Sequence, residues 1–236
     1  MGPEKIVAIF DQQAAGYDQQ AKRREPIESA LRFLLEAVFA DVPSNAHLLC
    51  VGAGTGAEAI ALAKRFPDWR FTLVEPSAGM MAVCRQNLID AGIDKRCTLV
   101  NGYLESLSPA QQFDAATCFL VSQFLTDRLA RQKFFRQIAQ RLKPKAILAS
   151  SDLVFDTGSA LYEKSLALWQ RITTQAEVTP EQITRLKKAY STDVGVMSMV
   201  ELSRIVRASG FEEPLPFFQA GLVQAWMARR DVIGPE

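Results

Sequence analysis

Apolar and polar positions repeat with two different periods along this chain, and the switches between them mark its elements. In residues 26–40, "PIESALRFLLEAVFA", the side chains of Ile27, Leu31, Leu34, Leu35 and Val38 share one helical face. "HLLCV" then runs apolar without a break, the pattern of a strand covered on both sides. A glycine-rich loop follows, and helical spacing resumes over residues 57–66. "RFTLVEP" reads as a second strand closed by Pro76, after which Ser77 can cap a helix, "AGMMAVCRQNLIDAG", that stops near Gly92. "CTLVNG" and "FDAATCFL" are strands three and four. Residues 127–142 predict a helix with Phe134, Phe135, Ile138 and Leu142 inward, and "AILASSDL" is strand five. Strands separated by single helices predict a parallel sheet with helices on both faces. Right-handed crossovers then bring all strand C-termini to one edge, where ligands bind in open α/β sheets.

The alternation stops over residues 156–192, a helical insertion after strand five. "SALYEKSLALWQRITTQA" and "TPEQITRLKKAY" are consecutive helices; the second starts with Thr179 as cap, Pro180 in the first turn and Gln182 three residues after the cap. Leu161, Leu166, Trp169 and Ile172 form one apolar stripe there, and Ile183, Leu186 and Tyr190 another. They describe either two helices packed over the sheet edge or a lid that shapes an acceptor pocket and supplies a homodimer contact. Ser198 and Glu201 repeat the capping device before "LSRIVRASGF", and "EEPLPFFQAGLVQAWMARR" reads as a hairpin turning at Ala220-Gly221. The expected organisation is one domain over residues 1–236, with residues 1–40 an N-terminal helical cap.

Composition narrows the function classes. The chain has 236 residues, 48% of them apolar, enough to bury a sizeable core. Lys and Arg number 27 against 26 acids, a net charge of +1 that makes no electrostatic case for nucleic acid or a membrane surface, although a tRNA held by a local patch stays open. Cys50, Cys84, Cys97 and Cys118 match no zinc or redox spacing, and no metal site is expected. No apolar run is long enough for a membrane span, and the opening residues lack a signal-peptide pattern. A soluble cytoplasmic protein is the expectation.

The candidate chemistry begins at Gly52, Gly54 and Gly56, which follow the first strand. Glycines there permit tight turns and let peptide N–H groups approach a ligand. Their spacing departs from the dinucleotide fingerprint, because Ala57 follows Gly56 and no glycine stands three residues after the second. Glu75 closes the second strand, nineteen positions after Gly56, and a carboxylate there can accept both hydroxyls of a ribose. That feature serves NAD and S-adenosylmethionine alike. The terminal hairpin favours the second, since dinucleotide folds usually continue with parallel units.

"LLCVGAGTG", "VEPS", "NGYLESL" and "FDAATCFLVSQFL", with the following "LKPKAILASSDL", resemble the successive motifs of class I S-adenosylmethionine-dependent methyltransferases. The resemblance spans nearly the whole chain. It implies an α/β, Rossmann-like fold with a mostly parallel seven-stranded sheet and a C-terminal β-hairpin. It further implies S-adenosylmethionine as cofactor, with Gly52, Ala53, Gly54 and Gly56 facing its methionine part and Glu75 holding the ribose hydroxyls. Pro76, Ser77 and Met80 or Met81 would line the adenine side, Tyr103 and Leu104 the base edge, and Phe119 and Leu120 the sulfonium. "SQFLTD", the insertion and the terminal hairpin are also similar to carboxy-S-adenosylmethionine synthases of tRNA modification; in that branch Arg185 would meet the cofactor's extra carboxylate.

Two positions depart from the family pattern. Cys50 stands where an acidic residue usually helps anchor the cofactor's ammonium, and Tyr103 where one accepts from the adenine amine. Each lost acceptor costs about 1–3 kcal/mol if its donor stays unpaired. A methyltransferase-like module without catalysis is therefore a competing expectation, and a NAD-dependent oxidoreductase a remoter one. The single histidine, His47, falls at the edge opposite the ligand, so no catalytic base is assigned. Tyr17 is either a lid residue over the cofactor or a packing residue, and Gln123 either touches substrate or caps the next helix. Trp169 belongs to the insertion that would shape the acceptor pocket, and Asp18 and Asp152 are further polar candidates near the ligand edge, with a turn or cap the safer account of Asp152. No Asp/Asn-Pro-Pro-aromatic tetrad follows strand four and no Pro-Cys pair is present, which turns the expectation toward a small-molecule acceptor.

Overall fold

The computed structural model describes residues 2–174 and 179–232. The chain opens with helices α1 (Pro3–Gln13), α2 (Tyr17–Ala21) and α3 (Glu25–Val38), joined by single helical turns. The βα units are β1 (His47–Val51), α4 (Ala57–Arg65), β2 (Arg70–Glu75), α5 (Ala78–Asp90), β3 (Cys97–Asn101), β4 (Phe113–Phe119), α6 (Arg128–Arg141) and β5 (Leu142–Leu153). Helices α7 (Tyr162–Thr174), α8 (Pro180–Thr192) and α9 (Met199–Arg207) precede the hairpin β6 (Leu215–Ala220) and β7 (Val223–Arg229). The strand order is β3-β2-β1-β4-β5-β7-β6; β1 to β5 run parallel, and β7 is antiparallel to both neighbours. This is the seven-stranded, mostly parallel α/β sheet expected from the sequence.

β1 is the centre of the molecule because it is apolar on both faces. Leu48 and Cys50 pack toward Leu35, Leu62, Trp69 and Leu73, whereas Leu49 and Val51 pack toward Phe135, Ile138 and Trp226. Its neighbours are β2 and β4, so the strand order reverses there and opens a crevice at the C-terminal edge. The start signals act as local chemistry predicts. Ser77 accepts the Met80 N–H, and Thr179/Gln182 and Ser198/Glu201 both form reciprocal capping boxes. Gly221, at φ +59°, makes the hairpin turn.

Several local expectations are corrected. Leu142 is not the last inward residue of a helix: α6 ends at Arg141, and Leu142 turns extended to start β5. Leu161 precedes α7 and is exposed, so the buried stripe of that helix is Tyr162, Leu166 and Trp169. The expected end of that helix at residues 175–176 lies outside the described residues. The insertion packs inward as a pair, with the Trp169 indole N–H donating to the Tyr190 hydroxyl at 3.0 Å. Among the described residues, no helix is long and apolar enough to cross a membrane.

Candidate functional site

A cavity of about 960 Å³ opens at the sheet's C-terminal edge, between the N-terminal helices, the glycine loop and the insertion. The loop is held to the neighbouring strand, since the Gly52 and Ala53 N–H groups donate to the Val74 carbonyl at 2.8 and 3.1 Å. Gly54 sits at φ +53°, and a Cβ there would meet nothing within 4 Å. Glycine is needed at that point for its backbone conformation, and the loop presents bare backbone to the cavity. Gly56 differs. A Cβ there would stand 2.8 Å from the Cys84 sulfur, so its role is close packing of α4 against α5, and it does not line the cavity.

Glu75 is the polar hinge of the site. Only 7% exposed, it accepts the Gly54 N–H on Oε2 at 3.0 Å and the Ser77 N–H on Oε1 at 2.9 Å. Burial raises its pKa, and these two backbone donors pull it back. Each oxygen keeps a free lone pair on a wall of the cavity. Pro76, Met80, Tyr103 and Leu104 also line the cavity, with Tyr103 49% exposed. Ser77 is fully buried and lies behind the wall; its hydroxyl caps α5 and donates to Asp11 at 2.6 Å.

That last bond docks the N-terminal helices. Asp11 also accepts the Gly79 N–H at 2.9 Å, while Asp18 accepts from the Thr55 hydroxyl at 2.7 Å and from Asn87 at 3.0 Å. Phe10, Tyr17 and Leu31 thereby form a roof over the glycine loop, and burial raises the Tyr17 pKa. On the far side, Phe119, Leu120 and Trp169 line the cavity. Leu120 adopts φ +57°, sparsely populated for a branched side chain, and its N–H is tied to the Ser151 carbonyl at 2.8 Å. The position before the loop, Cys50, is fully buried and its thiol pKa is pushed well up by burial.

Two residues expected at the substrate lie elsewhere. Gln123 is buried, and its amide oxygen accepts the Leu153 N–H at 2.9 Å, a bond that ties the β4–α6 loop to β5. It does not cap the next helix either; Asp127 does, accepting from the Ala130 N–H at 2.8 Å. Arg185 is exposed on α8 and lines neither this cavity nor a second one of about 690 Å³ beside α8. Asp152, expected in a turn or cap, is instead the buried hub of a polar network. Its Oδ1 faces Arg131 at 3.3 Å and takes a short bond from the Ser122 hydroxyl, and its Oδ2 accepts from the Trp226 indole at 3.4 Å. Arg131 follows the inward spacing of Phe135 and Ile138 on α6, a signal that the sequence carried but that a charged residue type obscures.

Sequence reasoning also missed Arg24 in the turn before α3, Glu28 and Arg32 of α3 and Glu58 of α4, all in the cavity wall. Glu28 bridges the two arginines at 3.7 and 3.4 Å. Glu58 is pushed up to about 7, first by burial and then by the charges of Glu75 and Glu28. His47 sits at the opposite edge, bonded to Thr72 at 2.9 Å. Among the described residues, no cluster of three metal-ligating side chains forms, and all four cysteines are free thiols.

A family model described as a methyltransferase domain matches residues 48–145, which hold the glycine loop, Glu75 and β4. Over these residues the chain carries a methyltransferase domain similar to those of class I S-adenosylmethionine-dependent methyltransferases. Curated methyltransferases it resembles include a malonyl-[acyl-carrier protein] O-methyltransferase of Acetivibrio thermocellus, 25% identical over 180 residues, covering 76% of this chain and 60% of that protein. The namesake of Geobacter sulfurreducens is 37% identical over 84 residues, 36% of this chain and 30% of that protein. The chain thus spans less than two thirds of the length of these relatives. Mitomycin 7-O-methyltransferase MmcR shares its fold at a TM-score of 0.62 and 22% identity, over 94% of this chain and 60% of that one. The [4+2]-cyclase SpnF does so at 0.63 and 17% identity, over 86% and 81%. At such identities the likeness shows the fold alone.

S-adenosylmethionine is the cofactor that a methyltransferase domain of this kind implies, and the cavity fits it. The Gly54 turn faces open space, Glu75 keeps two free lone pairs at the cavity wall, and apolar side chains bracket both.

Proposed function

We propose that this protein transfers a methyl group from S-adenosylmethionine to an oxygen of a small-molecule acceptor. The observation that carries the reading is Glu75. It is a buried carboxylate anchored by the glycine loop on one oxygen and by the start of α5 on the other, with a free lone pair left on each. In this reading Glu75 accepts the ribose hydroxyls, Pro76, Met80 and Leu104 flank the base, Tyr103 shields its edge, and Gly52, Ala53 and Gly54 face the amino-acid end. Phe119 and Leu120 stand by the sulfur. When bound, the cofactor supplies a methyl group already activated by the positive charge of its sulfonium.

The protein's task is alignment and exclusion of water. The Phe10 and Tyr17 roof and the Leu120 and Trp169 wall form an apolar enclosure for the reacting atoms, and alignment of this kind supplies about 7–11 kcal/mol of a barrier. The names of the two malonyl-[acyl-carrier protein] O-methyltransferases support oxygen as the acceptor atom. A carboxylate acceptor carries no proton at neutral pH and needs no base, which agrees with His47 lying at the opposite edge. The four free thiols suit a reducing compartment and support a cytoplasmic setting.

Calorimetric titration with S-adenosylhomocysteine tests this. The wild-type protein should bind at micromolar concentrations and Glu75→Ala at least about tenfold more weakly, since it loses charge-assisted bonds. A wild-type protein that ignores the ligand, or a variant that binds it equally well, overturns the proposal.

A further inference from the structure

The carboxylates in the cavity wall have partners, with one exception. Glu75 takes two backbone N–H groups, Glu28 pairs with Arg24 and Arg32, Asp127 caps α6, and Glu105 accepts from Gln137 at 2.7 Å. Among the described residues, the Glu58 carboxylate takes a hydrogen bond only from its own backbone N–H. Arg32 lies in its vicinity but is turned to Glu28 at 3.4 Å and Glu25 at 3.8 Å. A partly buried carboxylate in a cavity wall with no side-chain partner, whose neighbouring arginine is already paired elsewhere, is a place prepared for a cation.

Glu58 stands in the first turn of α4, directly after the glycine loop. The strand below offers no charge, because Cys50 ends on the same face of the sheet as a buried thiol, near enough for Glu58 to raise its pKa. An adenosyl amino acid carries one primary ammonium, and the positive end of α4 by itself would disfavour it there. From this juxtaposition we infer that Glu58 is a binding residue for that ammonium, so that the negative charge of the subsite comes from helix α4 and not from strand β1. The inference rests on the cofactor reading above.

The titratable groups coupled to the Glu58 charge are Arg32 and Glu28 from α3, Glu75 from β2, Cys50 from β1, Cys84 from α5, Tyr17 from α2 and, from the other face of the sheet, Cys118 of β4. An ammonium arriving among them requires Glu58 ionised, so binding at or below about pH 7 releases a proton from it.

Two ligands separate the possibilities by calorimetry, without any turnover. S-adenosylhomocysteine carries the ammonium; 5′-methylthioadenosine has the same nucleoside and thioether but no amino-acid group. Glu58→Gln should weaken the first by about 10- to 100-fold, the loss of one charge-assisted bond, and leave the second unchanged. Wild-type affinity for the first should also tighten from about pH 6 to about pH 8, and the variant's should not. The unchanged nucleoside ligand doubles as proof that the variant is folded. Equal loss for both ligands, or loss for neither, overturns the inference and leaves the cofactor reading standing. If the wild-type protein binds neither ligand, the cofactor reading fails and takes the inference with it.

Discussion

Replacing Arg131 by Met removes a fully buried cation that reaches Asp152. In the native protein its Nε–H donates to the Ser122 carbonyl at 2.7 Å, one terminal N–H to the Gly195 carbonyl at 3.0 Å, and the other faces Asp152 at 3.3 Å. Both side chains are closed to solvent, at 0% and 1% exposure. After Arg131→Met the carboxylate keeps two neutral donors, the Ser122 hydroxyl and the Trp226 indole, and no compensating charge. Breaking a buried pair in this way costs about 3–5 kcal/mol. For a chain of this size each kcal/mol lowers Tm by about 2–4 °C, so a fall of roughly 6–20 °C is expected in a thermal melt at pH 7. The double variant Arg131→Met with Asp152→Asn removes the stranded charge; its amide oxygen can accept from the Trp226 indole while its amide N–H donates to the Ser122 hydroxyl. It should melt above the single variant. Urea denaturation gives the corresponding free energies. A single variant within about 1 kcal/mol of wild type, or a double variant that loses the sum of the two singles, refutes the reasoning. The network also has a place in the site, since Ser122 follows the wall residues Phe119 and Leu120 and Gly195 begins the chain's return from the insertion.

Glu58 makes apo stability fall with pH. Its folded value of about 7 lies above the free value of 4.5, so in that window the native state holds a proton that the unfolded chain has released. Stability therefore declines as pH rises through the window, and Glu58→Gln should remove that share of the decline in urea midpoints between about pH 5 and about pH 8. Gly221→Ala places a Cβ 2.7 Å from the Trp169 ring at φ +59°. Strain and overpacking together should cost about 2–4 kcal/mol by chemical denaturation, and a neutral result would mean that the insertion is not packed on the hairpin turn. Asp11→Ala removes the acceptor for Ser77 and Gly79 and should raise amide exchange across α1 while the sheet stays protected. Unchanged exchange in α1 would mean that the cap is held by its apolar face alone.

The chain's order of amino acids determined the elements and their ends, because those depend on contacts between near neighbours. Ser77, Thr179 and Ser198 each bond an N–H three residues away, so the caps are written in a stretch short enough to read. Strand burial is equally local: "HLLCV" is apolar throughout and lies at the centre of the sheet. The glycine loop and Glu75 were visible for the same reason, since both fall at strand ends that the periodicity marks.

What the polar side chains do was decided only by tertiary structure. Asp11 meets Ser77 across 66 residues, Asp18 meets Thr55 across 37, and Arg131 meets Asp152 across 21. No periodicity relates such positions, because their separation depends on strand order and on where each crossover returns. Gln123 and Asp152 were placed by their nearness to strand ends, yet the fold uses both to tie the β4–α6 loop to β5. Glu58 was hidden by its place among alanines on an ordinary amphipathic helix. Its chemistry arises from burial beside other carboxylates, and burial of a polar group is a property of the packed chain, set by residues far away in the sequence.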